Sequence, residues 1–190
     1  MQLEVEMDKW KVLDSKDIFV SKFLRVYVDQ CELPDGRVMP HYYVMEFPDW
    51  VNVIALTEDG LAILVEQYRH AAGCGFLEVP GGSTDPRSKE KPEEAAAREL
   101  LEETGYKSEE WLHVGFHYPN PATQANRLHT YIAFNCKKIQ EPELDLYEDL
   151  RLRIIPIKEL YDKVNKGELS HSLILASLSL ARPHLKNWLT

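Results

Sequence analysis

The chain has 190 residues, of which 44% are hydrophobic, 28% charged and 10% aromatic, the make-up of a globular protein with one sizeable core. At this length roughly 70% of the unfolded surface can be buried, so no staple is required. The net charge of −9, from 31 acidic against 22 basic residues, has the wrong sign for gripping a phosphate backbone, which excludes nucleic acid as the expected partner.

The first residues, Met1 to Asp8, are acidic and lack the basic-then-apolar pattern of a leader, so secretion is not expected. From Trp10 to Phe47 the chain is rich in Val, Tyr and Phe, alternates at Leu24, Val26 and Val28, and turns at Pro34-Asp35-Gly36, which predicts a small antiparallel β meander. A piece of roughly 40 residues cannot build its own core, so it packs on the rest of the chain or on a second subunit. The expected division is a meander over residues 1–48, serving dimerisation or the substrate side, and a main domain over 49–190. Val51 to Thr57 and Leu61 to Gln67, joined by Glu58-Asp59-Gly60, are apolar almost throughout and predict central strands buried on both faces.

Phe76 to Val79 is a short strand ending at Pro80-Gly81-Gly82, and Ser83 to Glu90 is a polar loop. Pro92 at a first helical position, Glu93 and Glu94 beside the positive dipole end, and Gly105 as a left-handed stop predict a helix over 92–104. Leu128 to Asn135 predicts a strand. Ile157, Leu160, Tyr161 and Val164 repeat at helical spacing before Gly167, and a last helix runs from about Ser170 to Pro183. Strands interleaved with helices make this a mixed α/β (α+β) chain. The longest apolar run, Leu173 to Ala181, is about half of the ~20 residues a membrane span requires, so no membrane partner is expected. Cys31, Cys74 and Cys136 are odd in number and widely spaced, which predicts three free, buried thiols in a reducing cytoplasm.

Chemistry concentrates in the helix over 92–104. At ~100° per residue, Glu99, Glu102 and Glu103 share one face and Ala96, Ala97, Leu100 and Leu101 another. Such a face is solvated, or holds a cation that relieves the repulsion among its carboxylates. Upstream, Gly81 and Gly82 follow a strand and let backbone carbonyls approach a ligand closely. Oxygen ligands without a His or Cys cluster select Mg²⁺, with Mn²⁺ as a substitute, over zinc.

The glycine-rich turn, Glu90, and the run Arg98-Glu99-Leu100-Leu101-Glu102-Glu103-Thr104-Gly105-Tyr106 resemble the box of the Nudix hydrolase family, GX5EX7REUXEEXGU, where U is aliphatic or aromatic. Every defined position from Glu90 to Tyr106 matches. Gly82 stands eight positions before Glu90 where the pattern has six, so the loop carries two extra residues. The resemblance implies a Nudix-type α/β/α sandwich with the meander at its amino-terminal side. It implies Glu99 and Glu103 as principal metal ligands, Glu102 as a further ligand or a water-orienting carboxylate, and the Gly81 carbonyl as another metal contact. Arg98 and Glu90 would be structural. The implied activity is Mg²⁺-dependent cleavage of an acid anhydride, the cation offsetting charge on phosphate oxygens.

Val65-Glu66-Gln67-Tyr68-Arg69-His70 and Phe76-Leu77-Glu78-Val79-Pro80-Gly81-Gly82 are similar to the branch acting on ADP-ribose and related nucleoside diphosphate sugars. That similarity implies that Arg69 contacts substrate phosphate, that Glu78 is also a substrate-binding residue, and that the protein is a homodimer stacking a base on an aromatic ring. Trp50, Tyr42 and Tyr43 are candidates for that ring, or core residues. Pro121 stands where the branch has a downstream proline. The loop after it, Ala122 to Arg127, lacks the carboxylate common there, so the general base is Glu102 or a glutamate of the acidic segment Glu141 to Asp149, and Arg127 contacts phosphate or sugar. His117 and His129 are assigned no catalytic role. The implied reaction gives AMP and ribose 5-phosphate from ADP-ribose. The alternatives are a house-cleaning hydrolase of nucleoside triphosphates or dinucleoside polyphosphates, and a non-catalytic ADP-ribose sensor.

Overall fold

The computed structural model describes residues 5–189. Two compact units make up the chain, one of residues up to Pro48 together with Asn120–Asn126, the other of Asp49–Pro119 with Arg127 onward. The first therefore takes in Asn120–Asn126, which a division at residue 48 leaves in the second.

The first unit is an antiparallel sheet of β1 (Lys11–Val20), β2 (Arg25–Glu32) and β3 (Val38–Glu46), in that order. Asn120–Asn126 joins it through backbone bonds from Met45 to Thr123 and from Ala125 to Met45, and through the Tyr42 hydroxyl, which donates to the Ala122 carbonyl at 2.8 Å. All ten residues of β1 are exposed, including Val12, Leu13, Ile18, Phe19 and Val20. Three strands offer no second layer for these side chains.

The second unit is built on a mixed sheet of β4 (Trp50–Leu56), β5 (Leu61–Arg69), β6 (Cys74–Glu78), β7 (Gly81–Ser83), β9 (Glu110–His117), β10 (Leu128–Phe134) and β12 (Leu150–Pro156). The ribbon β8 (Tyr106–Lys107) with β11 (Lys137–Lys138) stands apart from it. The helices are α1 (Pro92–Thr104), α2 (Ile157–Asn165), α3 (Ser172–Ala181) and the short α4 (Lys186–Leu189). The main strand order β12-β5-β4-β10-β9 puts the apolar run of β4 in the interior, parallel to β10.

Alternation along β4 and β10 feeds two cores. Val51, Val53, Ala55, Tyr131 and Ala133 pack with Ala95, Ala96 and Leu100 of α1, while Ile54, Leu56 and Ile132 pack on the other face with Leu160, Tyr161, Ile174 and Leu178 of α2 and α3. The result is the α/β/α sandwich. Each fully buried Leu or Ile contributes about 1.5–3 kcal/mol to holding the layers together.

Five strands escape a reading of the sequence, the short β7, β8 and β11 and the longer β9 and β12. In β9, Gly115 at φ 136 makes a bulge between Thr130 and Tyr131 of the partner strand, which breaks the alternation. β12 is an edge strand of alternating Leu and Arg that ends in Pro156 and pairs with β5. Cys31 and Cys136 are buried as expected, but Cys74 is exposed because it opens β6 at the tip of the hairpin from β5. Among the described residues no helix is long and apolar enough to cross a membrane.

Candidate active site

Helix α1 starts at Pro92, with Glu94 accepting the Lys91 backbone N–H at 2.9 Å, and stops at Gly105 with φ 75 and ψ 8. A side chain at Gly105 would strike the Gln140 carbonyl, so glycine is required there for space as well as conformation. The expected segregation of carboxylates from core is corrected. Ala97 is exposed and Leu101 half-buried, while Glu99 and Glu103, at 8% and 6% exposure, are buried with Ala95, Ala96 and Leu100. Ala96, Glu99, Leu100 and Glu103 follow the i, i+3, i+4, i+7 spacing of a buried helical stripe, and two of its four members are acids.

β7 brings its glycines against those acids. A Cβ on Gly82 would lie 2.2 Å from Glu99 Oε1, so only glycine lets backbone and carboxylate meet there. The Gly81 N–H donates to Glu103 Oε2 at 3.0 Å. Arg98 binds the rest of the helix face. Its Nε and Nη2 donate to both oxygens of Glu90, Nη2 also to the Ser83 carbonyl, and Nη1 to Glu99 Oε1 and Glu102 Oε2, each at 2.9 Å. The guanidinium thus closes the polar loop after β7 onto α1. Burial pushes the Glu103 carboxyl up to about 8, against the relief of the Gly81 N–H, and the Glu99 carboxyl up to about 7, against the relief of Arg98.

Arg69, at the end of β5, donates Nε and Nη2 to the two oxygens of Glu78 at 2.9 and 2.6 Å. Glu78 is 4% exposed and Arg69 about half exposed, so the pair presents cation outward and keeps carboxylate inside. Of the five guanidinium N–H groups, three have no partner among the described residues and can meet a ligand. His171, which caps α3, places Nε2 3.9 Å from Glu78 Oε1.

From the acidic segment, the Glu143 N–H donates to the Glu102 carbonyl at 2.8 Å, and the charge of Glu148 acts on the buried acids. Glu148 is half-buried, held in a turn by mutual bonds with Asp145, and its charge raises the Glu99 and Glu103 carboxyls further and acts on Arg69. The sequence offered the segment but no signal that singled out Glu148, whose position depends on the unread strand β12.

Of the other candidates, Trp50 pairs with Ser83 on the same two strands as the glycines of the site. Arg127 stacks 4.9 Å over the Phe116 ring and bonds Tyr118, its own N–H donating to Asp49. Trp50 opens β4, its N–H on the Arg127 carbonyl. His129 lies 3.3 Å from Asp49. In the first unit Tyr42 meets Trp10 edge-on, and Tyr43 is exposed beside His41.

A family model described as the NUDIX domain matches residues 47–177, and one described as the nucleoside diphosphate sugar hydrolase N-terminal domain matches residues 10–45. The chain belongs to the Nudix family. It is 30% identical over 162 residues to an ADP-ribose pyrophosphatase of Bacillus subtilis (strain 168), covering 80% of this chain and 86% of that protein. It is 34% identical over 164 residues to a methanol dehydrogenase activator of Bacillus methanolicus, with the same coverage. A solved structure titled an ADP compounds hydrolase shares the fold, with a TM-score of 0.82 at 22% identity over 97% of this chain and 98% of that one.

Nudix hydrolases generally use divalent metal ions. The donor chemistry here fits such an ion: two buried carboxylates, a half-buried third in Glu102, and a glycine backbone pressed against Glu99. Among the described residues no three His, Cys, Asp or Glu side chains form a ready cage. Glu99 and Glu102 turn to Arg98 instead, and Glu103 to Gly81.

Proposed function

We propose that this Nudix hydrolase cleaves the pyrophosphate bond of a nucleoside diphosphate sugar, ADP-ribose first, giving AMP and ribose 5-phosphate. The observation that carries the reading is the pairing of buried Glu99 and Glu103 with the outward-facing guanidinium of Arg69, carboxylates for a cation beside a fork for phosphate. The Bacillus subtilis relative and the match over residues 10–45 support the same substrate class.

In this reading Glu99, Glu103 and the Gly81 carbonyl would hold Mg²⁺, for which Mn²⁺ could substitute, with Glu102 as a further ligand. When bound, the cation supplies charge that offsets the phosphate oxygens and favours attack by water. Arg69 binds and orients the diphosphate, and Glu78 fixes the angle of that fork. Glu148 accepts the proton of the attacking water, a role that a half-buried carboxylate whose charge is felt by Glu99 and Glu103 can fill where the loop Ala122–Arg127 has none. Arg98 and Glu90 keep the helix and loop in register. Arg127 and Trp50 complete the substrate side.

The exposed Val12, Leu13, Ile18, Phe19 and Val20 of β1 support a homodimer in which a second copy covers the meander. Light scattering at micromolar protein is expected to give twice the monomer mass. Three free thiols suit a reducing cytoplasm.

The reading is tested by product analysis on ADP-ribose, ADP-glucose, GDP-mannose, UDP-glucose, diadenosine polyphosphates and nucleoside triphosphates with Mg²⁺. Preference for a diphosphate sugar is the expected result. Preference for triphosphates or dinucleoside polyphosphates overturns the substrate class, and binding of ADP-ribose without cleavage turns the protein into a sensor.

A further inference from the structure

β4 reads Trp-Val-Asn-Val-Ile-Ala-Leu, and Asn52 is the one polar side chain in it. It is 7% exposed, and burying an amide in an apolar strand is costly unless it is bonded. Its partners come from α3: Nδ2 donates to Ser177 Oγ at 2.9 Å, with the Leu173 carbonyl at 3.5 Å. Ser177 Oγ also accepts the Thr130 hydroxyl at 3.0 Å, and both of those residues are fully buried.

The other side of the Asn52 amide faces Gly81. The two residues are register partners between β4 and β7, and a Cβ on Gly81 would fall 2.8 Å from Asn52 Oδ1 and 2.2 Å from the Val51 carbonyl. Gly81 in turn gives its N–H to Glu103. A continuous line of contacts therefore runs from α3 on one face of the sheet, through Asn52 and Gly81, to Glu103 of α1 on the other. Near Glu78, His171 at the start of α3 places Nε2 3.9 Å from the carboxylate.

We propose that Asn52 is a positioning residue, held by Ser177, that sets the backbone of Gly81 and through it the divalent-cation affinity of the Glu99 and Glu103 site. The proposal rests on the reading of Gly81 and Glu103 as cation contacts. Ser177 has two spokes, Thr130 and Asn52, and only the second leads to Gly81. Removing the first spoke costs packing and a hydrogen bond but leaves the cation site alone. Removing the second leaves the amide only its long contact to the Leu173 carbonyl, so that it can turn and Gly81 can shift.

The experiment is calorimetric titration of the full chain with Mn²⁺ in the absence of substrate, on Thr130→Val, Thr130→Val with Ser177→Ala, Asn52→Ser and Glu103→Gln, with melting temperature read in parallel. Thr130→Val is expected to keep its Mn²⁺ affinity within about twofold, while the double variant and Asn52→Ser bind about tenfold more weakly, the usual effect of removing a partner behind the ligands. Asn52→Ser decides the matter if the double variant does not fold, since serine cannot span Ser177 and Gly81 together. Wild-type affinity in folded Asn52→Ser or in the folded double variant overturns the proposal. Unchanged affinity in Glu103→Gln overturns the underlying reading of the cation site instead.

Discussion

Glu78 and Glu103 are buried to almost the same degree, 4% and 6% exposed, yet their surroundings differ completely. Both oxygens of Glu78 accept from one guanidinium, whereas Glu103 has a single neutral backbone donor and a neighbouring carboxylate, Glu99. A paired buried carboxylate is a fastening, and removing it leaves Arg69 unpaired. A buried carboxylate short of positive charge is a binding group, because its ionised form is costly until a cation joins it. Burial alone therefore says little about which acids do chemistry, and charge compensation separates them.

The comparison breaks first in kinetics. Glu103→Gln is expected to lower kcat by about a hundredfold or more at saturating Mg²⁺, while Glu148→Gln lowers kcat by roughly a hundredfold with KM and cation affinity little changed, as loss of a general base does. Steady-state rates on ADP-ribose read both. In stability the two buried acids are expected to move in opposite directions. Glu78→Ala destabilises the protein by about 2–3 kcal/mol, toward the low end for a broken buried pair because Arg69 is half exposed, and raises KM more than it lowers kcat. Cation-free Glu103→Gln melts above wild type at pH 8, a shift of a few degrees read by calorimetry.

The sign follows from proton linkage. Glu99 and Glu103 titrate near 7 and 8 in the folded chain against about 4.5 for an ordinary glutamate, so the native state holds extra protons between those values. Their contribution to stability is complete below about pH 4.5 and is lost as the pH rises through 7 and 8. Divalent cation, binding the ionised form, is expected to restore it.

Much of this was legible in the sequence and some was not. Local chemistry wrote itself plainly: Pro92, Glu94 and Gly105 bound α1, and the spacing from Glu90 to Tyr106 named the family. The buried stripe of α1 differs from the expected one: Glu99 and Glu103, expected with Glu102 on a carboxylate face opposite the core, share the buried stripe of Ala96 and Leu100. Register between distant segments was beyond reach. Nothing local says that Arg69 closes on Glu78, that Asn120–Asn126 joins the meander, or that the charge of Glu148 acts on Glu99. Asn52 was visible as a polar residue in an apolar strand, a signal that gains meaning once Ser177 and Gly81 are seen on either side of it.

The most direct test of the account is the melting temperature of cation-free protein at pH 5 and pH 8, with and without millimolar Mg²⁺, for wild type and for Glu99→Gln with Glu103→Gln. The account predicts that wild type loses stability from pH 5 to pH 8 and regains it with Mg²⁺, and that the double variant does neither to the same extent. A wild type and a double variant with the same pH slope and the same response to Mg²⁺ would contradict it.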